Sequence, residues 1–288
     1  MELIKPFDPW KSSLCSCPPK YSLSTYTGCG HGCLYCYASS YIPKFYQPRP
    51  KKDFIQRLEK EAAKIPQEST IAISNSSDPY QPLEEELKLT HKTLEILINY
   101  NFRINLITKS DLILKDLDLL KKFKRILITF SLTSLDDNLS KKLEPNCPSP
   151  SKRLKAIKQL SKFMPVIVRF DPLIYPLNTK GTERVVEKIK EAGAKQIISS
   201  TYKAKTDNFK RMTKSFPEHL ELWYKLYYQN GIRKNNYLYL EKTLRRNLIK
   251  KIRKEVLKTH LQFSTCREDF QDLNTAVCDG TSFFLNTK

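Results

Sequence analysis

The 288-residue chain has no run of 18 or more uncharged apolar residues, which argues against a membrane-spanning helix and against a membrane partner. Its first residues, Met1-Glu2-Leu3-Ile4-Lys5-Pro6, lack the basic, apolar and small-residue sections of a secretory signal, so the expected location is cytoplasmic. No fixed-period repeat is visible, and no low-complexity tract apart from the Pro-containing loop 42–49, which sets repeat architectures aside. Glycine is scarce, at 7 residues, and acidic groups are in deficit: 30 Asp and Glu stand against 50 Lys and Arg, a formal net charge of +20. Such a surplus raises the local concentration of polyanions, and DNA or RNA is the natural candidate partner. The competing explanation is a Lys-rich, Gly-poor solubility or thermostability signature with no partner behind it.

Forty per cent of the residues are hydrophobic, enough to bury a core without disulfide staples. The 8 cysteines are therefore read by their placement. Cys29, Cys33 and Cys36 fall within eight residues, Cys15 and Cys17 lie just upstream, Cys266 and Cys278 lie near the C-terminus, and Cys147 stands alone. Clustered thiols in a chain without a targeting segment suggest metal before disulfides.

Short β-branched runs bounded by turn residues recur at 70–74, 103–108, 126–131, 166–170 and 196–200, each predicting a buried strand. Between them lie stretches of helical spacing at 87–97, 112–123, 153–163 and 183–192. With a first strand at 21–26, the alternation predicts an α/β fold of about six βα units, a partial (β/α)6 TIM-like barrel rather than the complete eight. Its chemistry is expected on the loops at the carboxyl edge of the sheet. The expected division is an N-terminal Cys-containing arm (1–20), a core barrel (21–202) and a basic helical C-terminal extension with the terminal Cys pair (203–288).

The string Cys29-Gly30-His31-Gly32-Cys33-Leu34-Tyr35-Cys36 reads as a Gly-flanked loop on which three thiols can turn toward one point. Three is the informative number. Structural zinc normally takes four ligands, whereas a cubane iron-sulfur cluster on three cysteines leaves one iron open to an exogenous ligand. Spacing alone also permits a zinc site of the three cysteines plus His31, or a disulfide with a spare thiol.

The CX3CX2C spacing, with aromatic Tyr35 before the last cysteine, resembles the radical S-adenosylmethionine (SAM) superfamily. The wider string from Tyr26 to Ala38 is similar to its spore photoproduct lyase-related branch, loosely described as DNA repair photolyase-like. The likeness continues through Ser77-Asp78-Pro79-Tyr80-Gln81-Pro82, Thr108-Lys109-Ser110, Ser131-Leu132-Thr133 and Glu144-Pro145 to Arg153, covering about residues 20–200. The resemblance implies a [4Fe-4S] cluster on Cys29, Cys33 and Cys36, with SAM chelating the fourth iron. It further implies an electron donor such as a ferredoxin or flavodoxin, and a 5′-deoxyadenosyl radical that abstracts hydrogen from a substrate.

The resemblance also points to the SAM-binding residues. Lys109 or Arg153 supplies a cation for the SAM carboxylate. Where many members carry Gly-Gly-Glu after the second strand, this chain has Ser74-Asn75-Ser76-Ser77-Asp78, which leaves Ser76 and Asp78 as candidates for the SAM ammonium. Ser131 and Thr133 are candidates for the ribose or carboxylate, with helix capping as the ordinary alternative. Glu144 and Asp78 act as ligands or as loop stabilisers, and Tyr35 packs on the adenine, shields the cluster or simply fills core. Spore photoproduct lyase uses a further cysteine downstream of its cluster motif as hydrogen donor. This chain has none between Cys36 and Cys147, so a lyase-type reaction is expected without thymine-dimer repair as its leading form.

If the chain ends meet, Cys15, Cys17, Cys266 and Cys278 make a second metal site, zinc or iron-sulfur. Residues 203–258 hold 16 Lys and Arg against 5 Asp and Glu, a surplus of 11. Interleaved Trp223, Tyr224, Tyr227, Tyr228, Tyr237 and Tyr239 either stack on bases or form a packed face. The function expected is thus a radical SAM enzyme with an unidentified, candidate nucleic-acid substrate. The alternative is a noncatalytic zinc-bearing nucleic-acid-binding protein.

Overall fold

The structure, a computed structural model, describes residues 2–7 and 14–284. Its centre is an eight-stranded sheet of β1 (Ile4–Pro6), β2 (Tyr21–Leu23), β3 (Thr70–Ile73), β4 (Arg103–Thr108), β5 (Ile126–Ser131), β6 (Val166–Leu173), β7 (Gln196–Thr201) and β8 (Gln262–Thr265). The strands lie side by side in chain order; β1 is antiparallel to β2, and every later pairing is parallel. The crossovers carry α1 (Phe54–Ala62), α2 (Leu89–Leu97), α3 (Asp137–Leu143), α4 (Pro150–Leu160), α5 (Thr182–Glu191), α6 (Thr206–Ser215) and α7 (Lys242–Lys258). β1 and β8 are the two edges, so the sheet is an open, partial TIM-like barrel. Among the described residues no helix is long and apolar enough to cross a membrane.

The strands read as nearly continuous apolar runs because both of their faces are covered. Alternate residues such as Ile126, Ile128 and Phe130 of β5 and Val166, Val168 and Phe170 of β6 pack against the outer helices. The residues between them, Leu127, Ile167 and Ile198, point into the concave side and meet Phe284. A C-terminal segment therefore fills the amino end of the half-barrel. Gly280 sits so deep in it that an added Cβ would lie 2.6 Å from Ile167 Cδ1.

α4 opens on a start signal readable in the sequence, Ser149-Pro150. Ser149 caps α4 by accepting from the Lys152 amide at 3.4 Å, with Pro150 following it. The stretch 87–97 is broken at Lys88, whose φ of 50° ends a short turn of helix before α2 starts. The stretch 112–123 is a 3-10 turn (Asp111–Asp116) followed by one turn of α-helix (Leu117–Leu120).

The segment beyond residue 202 carries the expected helices α6 and α7, and also strands. Ile232–Lys234 and Tyr237–Tyr239 form a hairpin, and β8 adds a seventh parallel strand against β7. Physically, β8 escaped notice because it is four residues long with one large apolar side chain, Phe263. It is held by backbone pairing and by the Arg245 and Lys203 bonds to buried Glu268 just past its end, 2.7 and 3.1 Å long.

Candidate active site

The three-cysteine loop leaves the short strand Tyr26–Thr27, which pairs with Arg49–Pro50 beside the carboxyl edge of the half-barrel. Gly28 opens the loop at φ +82°, where an added Cβ would overlap the Phe45 carbonyl, so this turn requires glycine. The Cys29 amide donates to that carbonyl at 2.8 Å. Gln81 pins the next turn from both sides, accepting from the Gly30 amide at 2.7 Å and donating to the Gly28 carbonyl at 3.2 Å. Asn146 holds the far side, donating to the Gly30 carbonyl at 2.8 Å and through its backbone amide to the His31 carbonyl at 3.1 Å.

Cys29 and Cys33 are buried and Cys36 is half-buried. Their environments differ. Burial pushes the Cys29 thiol up, and the Cys36 thiol up to about 11. The hydrogen bond from Cys147 at 3.9 Å, with Lys109 nearby, brings Cys33 down to about 6. Cys147 is thus part of the site, although nothing in its sequence context distinguished it from a bystander.

His31 is buried, with Nε2 3.3 Å from Asp78 and Nδ1 3.2 Å from the Asn146 carbonyl. Nδ1 is hydrogen-bonded to that carbonyl, while Nε2 faces the Asp78 carboxylate at ion-pair distance without a hydrogen bond.

Asp78, after β3, ties three loops together. It accepts from the Tyr80 amide (2.9 Å), the Thr108 hydroxyl (2.7 Å) and the Lys109 amide (2.9 Å), and it faces His31. Burial alone would raise its pKa; His31 and these hydrogen bonds hold it below the usual carboxylate range. Ser76 sits half-buried in the same loop.

Glu144 occupies the corresponding position one layer along. Fully buried, it pairs with Arg153 at 2.5 Å and Lys109 at 3.2 Å, and it accepts from the hydroxyls of Tyr35 and Thr133. Lys109 also donates to the Tyr35 hydroxyl at 3.0 Å. Against the cost of burial, the two cations hold Glu144 far below its ordinary range. Arg153 is enclosed, bonding the carbonyls of Pro148 and Ser131 as well, whereas the Lys109 side chain keeps 15% of its surface open. Lys109 is therefore the cation within reach of an incoming anion. Ser131 lies on the concave face with Leu127, at the carboxyl end of β5. Thr133 spends its hydroxyl on Glu144 rather than on a helix cap.

The structure thus brings Tyr35, Lys109, Glu144 and Arg153 into one network with Cys33 and Cys147. Asp78 meets it through Lys109 and His31. Sequence reasoning missed Asn146 and two side chains from α6: Asn208 donates to the Tyr35 carbonyl at 3.1 Å, and Arg211 donates to the carbonyls of Leu34 and Cys36 at 3.2 and 2.9 Å. These last contacts join segments more than 170 residues apart, which local spacing cannot reveal. The Gln81 amide and the glycines lay within the recognised motifs, and their bonds appear only in the fold.

An open (β/α) half-barrel with three cysteines on the loop at its carboxyl edge defines the class of enzyme that works from such a loop. The Radical SAM superfamily model matches residues 23–189, more than half of the chain, and the chain belongs to that superfamily. It is 35% identical over 144 residues to the uncharacterised protein MJ0683 of Methanocaldococcus jannaschii, covering 49% of this chain and 55% of that protein. It is 24% identical over 200 residues to the uncharacterised protein ORF301 of Acidianus two-tailed virus, covering 62% and 65%. The chain therefore matches less than two thirds of the length of either curated relative. In fold it is similar to a spore photoproduct lyase mutant solved with AdoMet and dinucleoside spore photoproduct, with TM-score 0.68, 15% identity, and 89% of this chain and 79% of that one covered. A spore photoproduct lyase complexed with dinucleoside spore photoproduct alone gives TM-score 0.67, 15% identity, and 91% and 78% covered.

Proposed function

We propose that the chain reductively cleaves SAM at a [4Fe-4S] cluster held by Cys29, Cys33 and Cys36, to act on a substrate bound at the concave face of the half-barrel. The observation that carries this reading is the donor set. Three thiols sit on one backbone-pinned loop, and the neighbouring imidazole, His31, faces Asp78 and the Asn146 carbonyl. Soft thiolates in a mostly buried pocket suit iron-sulfur ligation. When bound, the cluster and SAM supply one-electron cleavage of the sulfonium and hydrogen abstraction from the substrate.

The chain's own residues supply position and charge. Lys109 offers its ammonium to the SAM carboxylate, while Glu144 and Tyr35 fix where that ammonium sits. Arg153 neutralises Glu144 from behind and keeps Lys109 from being wholly consumed by it. Asp78 sets the backbone of 78–80 and 108–109 and so fixes the position from which the Lys109 side chain leaves, with half-buried Ser76 in the same loop as Asp78 offered to the SAM ammonium. Ser131 presents a hydroxyl from the concave side to the SAM ribose or carboxylate. Cys147, hydrogen-bonded to Cys33, tunes that thiolate as a neighbour and not as a ligand.

Nucleic acid is the substrate class favoured by the charge. Of the extension's aromatics, Trp223, Tyr227, Tyr237 and Tyr239 are buried, but Tyr224 and Tyr228 are exposed and stack on each other at 5.3 Å and 11°. They stand among the residues that carry the surplus of 11 positive charges. A reduced ferredoxin or flavodoxin is the expected electron source.

The test is anaerobic reconstitution with iron and sulfide, then reduction in the presence of SAM. Brown protein that forms 5′-deoxyadenosine supports the reading; colourless protein that leaves SAM intact overturns it. For the substrate class, oligonucleotide affinity should fall steeply with added salt, and binding insensitive to ionic strength contradicts it.

A further inference from the structure

The cysteines that the proposed cluster does not use come together elsewhere. Cys17 Sγ lies 3.1 Å from Cys278 Sγ, across 261 residues of chain. The Cys15 thiol shares a hydrogen bond with that of Cys17. Cys266, one residue past β8, lies within electrostatic range of both Cys15 and Cys278. Two thiols thus come from the arm that leads into β2, and two from the segment that follows β8. All four are free thiols.

The surroundings are cationic. Lys20 is buried, paired with Asp279, and acts on Cys17. Arg169, from the concave face of β6, hydrogen-bonds Cys266 and pairs with Asp171. One buried and three half-buried thiols, with Cys17 in contact with both Cys15 and Cys278 and with cations alongside, form a grouping that suits a thiolate metal site better than an apolar core.

We propose that Cys15, Cys17, Cys266 and Cys278 bind one zinc ion as a closed tetrathiolate site that fastens the N-terminal arm to the C-terminal segment. Distances favour a single ion. Zinc-sulfur bonds of about 2.3 Å in a tetrahedron place ligand sulfurs about 3.8 Å apart, so Cys17 and Cys278 need to part by less than about 1 Å. The same pair stands well beyond the roughly 2.05 Å of a disulfide. Among the described residues no three such side chains yet meet at a single point, so the ion closes the site by drawing Cys15 and Cys266 inward. Lys20 and Arg169, each also paired with an aspartate, stand beside the sulfurs as charged hydrogen-bond donors. The bound ion would hold the plug formed around Gly280 and Phe284 in the half-barrel.

The experiment uses the full chain with Cys29, Cys33 and Cys36 all replaced by Ala, so that the site is read whether or not the radical SAM proposal holds. Elemental analysis of this protein, purified anaerobically, should give about one zinc per chain, and adding Cys17→Ser with Cys278→Ser should lower that at least about tenfold. As a readout independent of that variant's folding, the folded parent is also titrated with a mercurial, which should release its zinc as four thiols are blocked. Replacing zinc by cobalt should then produce thiolate-to-cobalt charge-transfer bands. Parent protein without zinc, iron with sulfide in its place, or a Cys17–Cys278 disulfide peptide would each overturn the proposal.

Discussion

Arg211 of α6 donates to the carbonyl of Cys36 at 2.9 Å and to that of Leu34 at 3.2 Å, so the basic extension grips the three-cysteine loop directly. Asp207 steadies this guanidinium at 2.9 Å and accepts from Ser39 at 2.6 Å. The positive charge of this helix is thus partly architectural. Charge-assisted hydrogen bonds are worth about 1.5 to 3 kcal/mol each before solvent screening, and Arg211 makes several. Arg211→Ala should therefore shorten the lifetime of bound iron under a chelator severalfold while leaving SAM affinity of the loaded fraction unchanged. Unaltered iron loss would show that the grip has no consequence.

The Glu144 network makes a prediction with a definite sign in pH. Removing one member of a buried ion pair costs about 3 to 5 kcal/mol, so Glu144→Gln should be strongly destabilised near neutrality. Glu144 is held below its unfolded value of about 4.3, so its contribution is present above that pH and lost as pH falls toward its folded value. In denaturation experiments, the stability gap between wild type and Glu144→Gln should be constant from about pH 5 to 8 and narrow below about pH 4. A gap unchanged down to about pH 3 would contradict the assignment.

Two glycines with similar backbone angles should respond differently to the same change. Gly28 and Gly181 have φ of +82° and +61°, but an added Cβ would strike the Phe45 carbonyl at Gly28 and meet nothing within 4 Å at Gly181. Gly181→Ala should cost about 1 kcal/mol, as strain alone does. Gly28→Ala should cost more and also reduce iron incorporation, since the carbonyl it displaces anchors Cys29. Equal losses in thermal unfolding would remove the argument for close packing at this turn.

What the residues disclosed, and what they hid, follows from the range of the interactions. The parallel strands and the caps of α4 were legible because apolar runs and Ser149-Pro150 act within a few residues of themselves. The three-cysteine loop was legible because its three cysteines fall within eight residues. β8 was hidden by its polar, four-residue sequence, which pairs only because β7 offers an open edge. The partners of the candidate residues were hidden for a similar reason. Nothing near Glu144 in the chain announces Lys109 or Tyr35, and nothing near Cys147 announces Cys33. Of the extension's aromatics, Trp223, Tyr227, Tyr237 and Tyr239 form part of the packed interior, while Tyr224 and Tyr228 are exposed.

Cys147 supplies the sharpest test, because a fourth thiol 3.9 Å from Cys33 would close the cluster if it were a ligand. The measurement is paramagnetic resonance of the reduced cluster in Cys147→Ala, with SAM isotopically labelled in its amino and carboxylate groups. The account predicts that this variant retains its cluster and that the labels couple to it as they do in wild type. Loss of the cluster from Cys147→Ala, or absence of any coupling to SAM in the wild-type protein, would contradict it.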